Sequence, residues 1–184
     1  IVGADGYFGS HDEYPVEVHP QSNQREMVYM DASRLRVGSP LYLGVLAHEL
    51  QHAIHWNLDR TEEAWLNEGL SEVAKEMAGY RASLVDEFLR SPDTQLNYWP
   101  AWPGDAAPHY GAATLFLTYL SNHYGGTEGL RQLAEDPGDG LVAVDAYLSG
   151  FGVTLEDVFA DWTVANYCDD EEGLLGYPDR DVRV

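Results

Sequence analysis

Two histidines four residues apart, with a glutamate directly after the first, are the side chains in this 184-residue chain best suited to chemistry. They are His48, Glu49 and His52, in the stretch LYLGVLAHELQHAIHW from Leu41 to Trp56. On an α-helix four steps of about 100° make one turn plus about 40°, so residues i and i+4 stand nearly above one another. His48 and His52 then project from one face, a turn apart, and can share one metal ion. Glu49 points about 100° round from His48, too far to join as an equal ligand but able to reach a water on that ion. Two neutral imidazoles on Zn2+ with a carboxylate base beside the polarised water is what a metallohydrolase requires.

A catalytic zinc normally takes three protein ligands and leaves a fourth position for water, so the third ligand must come from elsewhere. In the HExxHxxGxxH arrangement of metzincins a glycine would stand at His55 and the third histidine at Leu58, and neither position fits. The better candidate is Glu68, in WLNEGLSE from Trp65 to Glu72. HExxH followed downstream by NExxSE resembles the gluzincins, the thermolysin-like zinc peptidases. The strings GYF, REMVYMD, AHELQHAIHW, WLNEGLSE, HYGAATLFLTYL and DWTVANY bring the chain closest to hyicolysin-like bacterial neutral metallopeptidases, over residues 5 to 168. The resemblance implies His48, His52 and Glu68 as ligands of one catalytic zinc, with Glu49 as general base. It puts Glu72 where a carboxylate orients the first ligand histidine, a position held by Asp in thermolysin itself. Asn67, from the same motif, is expected beside the ligands and not on the metal.

Spacing supports the same arrangement. Glu68 and Glu72, at i and i+4 of a second helix, share a face. One can bind metal while the other accepts a ligand histidine's N–H and fixes its tautomer. Acidic and imidazole groups crowded on one cleft are in conflict without a cation, and a divalent ion relieves it. HExxH in isolation is also an ordinary polar stripe on a helix; the apolar surroundings and an NExxSE motif whose glutamate is sixteen residues past His52 set this one apart. His55, near the helix end, reads as a capping group or a neighbour of the ligands.

The elements that must position these residues follow from local signals. Residues 1–38 carry strand signals, Val16–Val18 and more clearly Glu26–Asp31, separated by turn residues. The resemblance suggests the Met27–Asp31 strand as the sheet edge that pairs with extended substrate, with an ordinary edge strand as the equal alternative. Ser39-Pro40 starts a helix running to Trp56, apolar nearly all round and therefore expected to be central and buried. Thr61-Glu62-Glu63 opens a second helix to about Tyr80, bent near Gly79 and continuing toward Arg90. Residues 91–108 form a long loop rich in proline and aromatics, either lining a cleft or packing as a stiffened lid. Tyr110 to Tyr124 is a helix closed by Gly125-Gly126. Gluzincins use a Tyr or His to hold the oxyanion, which points to Tyr110, with His109 in reserve. Short helices over 127–135 and 141–148 and a last one opened by Thr154-x-x-Asp157 look structural.

Composition bounds the rest. Hydrophobic residues make up 45% of the chain and aromatics 12%, which excludes a disordered polypeptide. Net charge is −21, from 31 acidic against 10 basic residues, unsuited to nucleic acid. Cys168 is the single cysteine, so no internal disulfide forms. No apolar run approaches a bilayer span. The opening Ile1-Val2-Gly3 reads as a processed domain of a longer, secreted precursor. The acidic run Asp169–Glu172 reads as a solvated end, with Ca2+ binding as the minority alternative.

The expected architecture is one α+β zincin domain: a sheet part over 1–38, a helical part over 39–168 and an acidic tail over 169–184. The expected activity is a zinc endopeptidase acting on peptide or protein substrates. An aminopeptidase, or a catalytically silent zincin-fold binding module, are the rivals. Oligomeric state is open.

Overall fold

The computed structural model describes residues 4–82, 84–170, 173–178, 180 and 182. The fold is mixed: seven helices and a two-stranded sheet among the described residues. Strand β1, Gly6–Phe8, pairs antiparallel with β2, Val28–Met30, in the register Gly6↔Met30, Tyr7↔Tyr29 and Phe8↔Val28. Tyr7 and Tyr29 stack across the pair with ring centroids 4.5 Å apart. The second expected strand is therefore shorter than its signal. Val16–Val18, also expected as a strand, is a turn in which the Val18 and His19 N–H groups both reach the Pro15 carbonyl at 2.9 Å. A loop buttressed by Asp12 takes its place: the carboxylate accepts from Asn23 N–H and from the Tyr29 hydroxyl, each at 2.6 Å.

Helix α1, Pro40–Leu58, begins as its sequence dictates. Ser39 Oγ accepts the Tyr42 N–H at 3.2 Å, and Pro40 enters with its dihedral already set. Helix α2, Ala64–Met77, starts after Glu63, whose carbonyl accepts the Leu66 and Asn67 N–H groups, while Glu62 accepts the Gly140 N–H; it stops well short of Arg90. Gly79 takes φ +87, its N–H reaches the Glu76 carbonyl at 2.8 Å and the Tyr80 N–H reaches the Lys75 carbonyl at 3.0 Å. That double closure ends a helix instead of bending it. After α3, Val85–Leu89, comes the long loop, and α4 runs Ala107–His123, starting ahead of Tyr110 because Pro108 suits a first turn. Helices α5 Gly126–Glu135, α6 Gly140–Ser149 and α7 Leu155–Cys168 complete the fold, the last capped by Thr154 Oγ1 accepting the Asp157 N–H.

The expected central helix is not the one observed. α4 occupies the middle of the core, with Ala112, Ala113, Leu115, Phe116, Leu117 and Tyr119 fully buried. α1 lies on the flank, and Leu50, Ile54 and Leu58 on its outer face are half exposed. Its apolar composition serves the inner face, where His48, Glu49, Ala53 and His55 are buried. The segment after Cys168 returns to the core instead of ending in solvent: Tyr177 is buried with its hydroxyl on Asn166 Oδ1 at 2.5 Å, and Val182 is buried beside it. Glu171 and Glu172 of the expected acidic run lie outside the described residues. Among the described residues no helix is long and apolar enough to cross a membrane.

Candidate metal centre

The ligand atoms converge where α1 and α2 pack side by side. His48 Nε2 lies 3.0 Å from His52 Nε2, and Glu68 Oε2 lies 3.2 Å from the first and 3.3 Å from the second. A tetrahedral zinc with bonds of about 2.1 Å needs its ligand atoms about 3.4 Å apart, so this triangle is close to the right size. The side chains of His48, His52 and Glu68 keep 11, 14 and 21% exposure, so the cluster is open to solvent.

The surrounding groups decide which lone pairs face the centre. His52 Nδ1 is 2.8 Å from Asn67 Oδ1, an atom that can only accept, so the imidazole proton sits on Nδ1 and Nε2 is free to bind. His48 Nδ1 is 3.0 Å from Glu72 Oε1, oblique to the ring N–H and so an electrostatic contact more than an aligned hydrogen bond. The carboxylate still favours a proton on that nitrogen. Glu72 is itself held by Lys75 Nζ at 3.0 Å from both oxygens. Three lone pairs thus point at one another across about the span of a single ion. Burial opposes charging His48, but the hydrogen bond to Glu68 and the close carboxylate of Glu72 outweigh it and bring its pKa up to about 9. Glu68 responds the other way: burial works against its charge, yet both histidines hold it down at about 2. The two carboxylates beside the imidazoles thus favour positive charge at this cluster.

Glu49 is buried next to the triad, close enough to feel the charges of His48, His52 and Glu68. Burial raises its pKa, which suits a base, and its Oε2 accepts the Phe8 N–H at 3.0 Å. That contact puts β1 against Glu49. Tyr110 stands on the other side, its ring centroid 6.2 Å from His48 and edge-on to Trp99 at 4.8 Å. Burial, then the charge of Glu68 and a hydrogen bond to it, push the phenol above its ordinary pKa and keep its proton in place. His109 is turned away: its Nδ1 donates to the Gln95 carbonyl at 3.1 Å and its ring packs near Tyr98 and Trp99. The long loop therefore separates the two candidates, burying one toward the cluster and tying the other to itself.

Glycines let the helices come this close. A methyl group on Gly69, next to Glu68, would lie 2.8 Å from Leu117 Cδ1 and 2.9 Å from Ala113 Cβ. One on Gly111, next to Tyr110, would lie 2.4 Å from the Leu84 carbonyl oxygen. Sequence reasoning missed three participants: the Phe8 N–H, Lys75 behind Glu72, and the double use of Asn67, whose Oδ1 also takes the His55 Nδ1–H at 3.3 Å. Only Lys75 left a signal, its i+3 spacing from Glu72 on one helix face. No protein-family model matches the chain, and no curated protein matches it significantly in sequence.

Proposed function

We propose that the protein is a zinc-dependent endopeptidase and that its α+β fold is a zincin catalytic domain. The observation that carries this reading is the convergence of His48 Nε2, His52 Nε2 and Glu68 Oε2 within 3.3 Å of one another, with Glu49 alongside. Two nitrogens and one carboxylate oxygen from HExxH and NExxSE are the donors a catalytic zinc takes, leaving a position for water.

Zinc held there supplies Lewis acidity, which polarises a carbonyl and lowers the pKa of water. The chain's own residues supply the remainder. Glu49 takes a proton from the attacking water as the new C–O bond forms, then delivers it to the amine nitrogen as the C–N bond breaks. Its buried setting favours both roles by keeping its pKa above that of an ordinary carboxylate. Tyr110, held protonated, donates to the oxygen on which negative charge develops. Glu72 and Asn67 keep both imidazoles oriented. The two-stranded sheet presents β1 along this cleft, and an extended substrate backbone pairing with its free edge would be gripped without regard to side chain.

The test uses the zinc-loaded chain with a peptide blocked at both ends and, separately, a dipeptide analogue with a free amine. Cleavage of the first and not the second is expected. Glu49→Gln should keep zinc and fold while losing about 10²–10⁴-fold in rate. A Glu49→Gln variant as fast as the parent would overturn the mechanism, and preference for the free amine would replace the endopeptidase reading with an aminopeptidase.

A further inference from the structure

Past the catalytic cluster, where α1 gives way to α2, a second set of donor atoms comes together. We propose that His55, Asp59 and Glu62 bind a second zinc ion, which fastens the α1–α2 connection. One ligand atom from each lies within 4.8 Å of the others. His55 is 1% exposed, and its Nδ1–H is committed to Asn67 Oδ1, so Nε2 carries a lone pair. That Nε2 is buried and, among the described residues, has no hydrogen-bond partner.

The carboxylates show the same division of labour. Asp59 Oδ1 accepts from the Thr61 N–H at 2.9 Å and the Thr61 hydroxyl at 3.1 Å. Glu62 Oε1 accepts from the Gly140 N–H at 2.8 Å and the Glu63 N–H at 2.5 Å. The second oxygen of each, Asp59 Oδ2 and Glu62 Oε2, is buried and, among the described residues, has no hydrogen-bond partner. In each residue one polar atom is anchored to the fold while the other is left open, which is how metal ligands are held by their surroundings. Three buried acceptors with no donor are destabilising and repel one another, and a cation removes both faults at once. Arg60, between the two carboxylates in sequence, lies over the Trp56 ring at 5.5 Å and, among the described residues, forms an ion pair with neither.

One imidazole and two carboxylate oxygens suit zinc, with water completing a tetrahedron. The donors must draw in from their present spread to about 3.4 Å apart, and Asp59 and Glu62 sit on a connection rather than inside a helix. A cleft lined by His52, Trp56, Asp59, Arg60, Glu62 and Glu68 borders both clusters and reaches the two carboxylate residues, with His55 behind them. Asn67 Oδ1 joins them chemically by accepting from His52 and His55 together.

The experiment titrates the metal-free full chain with Zn2+ against a chromophoric chelator, comparing the parent, Glu62→Gln, Asp59→Asn and His48→Ala, with circular dichroism as the check on folding. The parent should take up about two equivalents, and each variant about one. Thermal midpoints should rise with zinc in two separable steps in the parent and in one step in Glu62→Gln. A parent that binds one equivalent, retained by Glu62→Gln and Asp59→Asn, overturns the second site. One equivalent lost on Glu62→Gln but kept by His48→Ala supports the second site and instead removes the catalytic one. Should Glu62→Gln fail to fold, Asp59→Asn and the parent stoichiometry decide on the same terms.

Discussion

Asn67→Leu tests the claim that one amide oxygen orients two imidazoles. Leu keeps the branching of the Asn side chain but is larger and a better helix former, so the change removes the acceptor together with a packing change for which Asn67→Asp is the control. Two N–H donors lose their partner, His52 Nδ1 at 2.8 Å and His55 Nδ1 at 3.3 Å. They do not suffer equally. Ser71 Oγ stands 3.0 Å from His52 Nδ1 and gives its own proton to Gln51 Oε1, so it can accept from His52 in Asn67's place. His55 is 1% exposed and has no such substitute at Nδ1, so its N–H is left buried and unpaired. That group should lower the folding free energy by about 1–3 kcal/mol. Zinc affinity at the His48–His52–Glu68 cluster should fall about 10-fold, the low end of the range for a group that orients a ligand, because Ser71 stands in. Adding Ser71→Ala should bring the loss nearer 100-fold. Urea unfolding in chelator reads the first quantity and zinc competition with a chromophoric chelator the second. Asn67→Asp, which keeps an acceptor for both rings, should recover most of the stability. An Asn67→Leu variant with parental stability and parental zinc affinity would refute the reasoning.

Three further outcomes follow from individual residues. Tyr110→Phe should lower kcat by roughly 10- to 1000-fold with little change in KM, zinc content or Tm, whereas His109→Ala should leave kcat nearly untouched. Gly111→Ala should destabilise by about 2 kcal/mol in urea unfolding, because the added methyl meets a backbone oxygen at 2.4 Å that no rotamer change can clear. The Tyr29 hydroxyl and the Asn23 N–H hold the Asp12 carboxyl below its ordinary pKa. With the folded value below the unfolded one, the stabilisation is present above about pH 4 and lost as pH falls through the folded pKa. Asp12→Asn should therefore lower Tm at pH 7, and thermal melts at successively lower pH should show the gap to the parent closing; a gap constant with pH would refute the assignment.

Local rules determined more of this protein than its topology. The 3.6-residue period fixed His48 and His52 on one face, and the same period aligned Glu68 with Glu72, whatever else the chain did. Ser39-Pro40 and Thr154 set helix starts because capping and the proline dihedral act within one turn. Where distant groups compete, sequence was a poor guide. Val16–Val18 alternates like a strand, yet among the described residues no strand pairs with it, and the chain turns at Pro15 instead. α1 and α4 are both apolar, and only the packing at Gly69 and Gly111 decided that α4 would be central. Tyr110 and His109 are neighbours with similar chemistry, and their separation rests on Gln95 and Trp99, which a helix period cannot place. The convergence of His55, Asp59 and Glu62 spans a helix end and a connection, where no fixed period relates one side chain to the next. Residues within a helix inherit their relative positions from the backbone repeat. Those joined across a turn or between helices receive theirs from whichever packing buries the most apolar surface while leaving the fewest polar atoms unpaired.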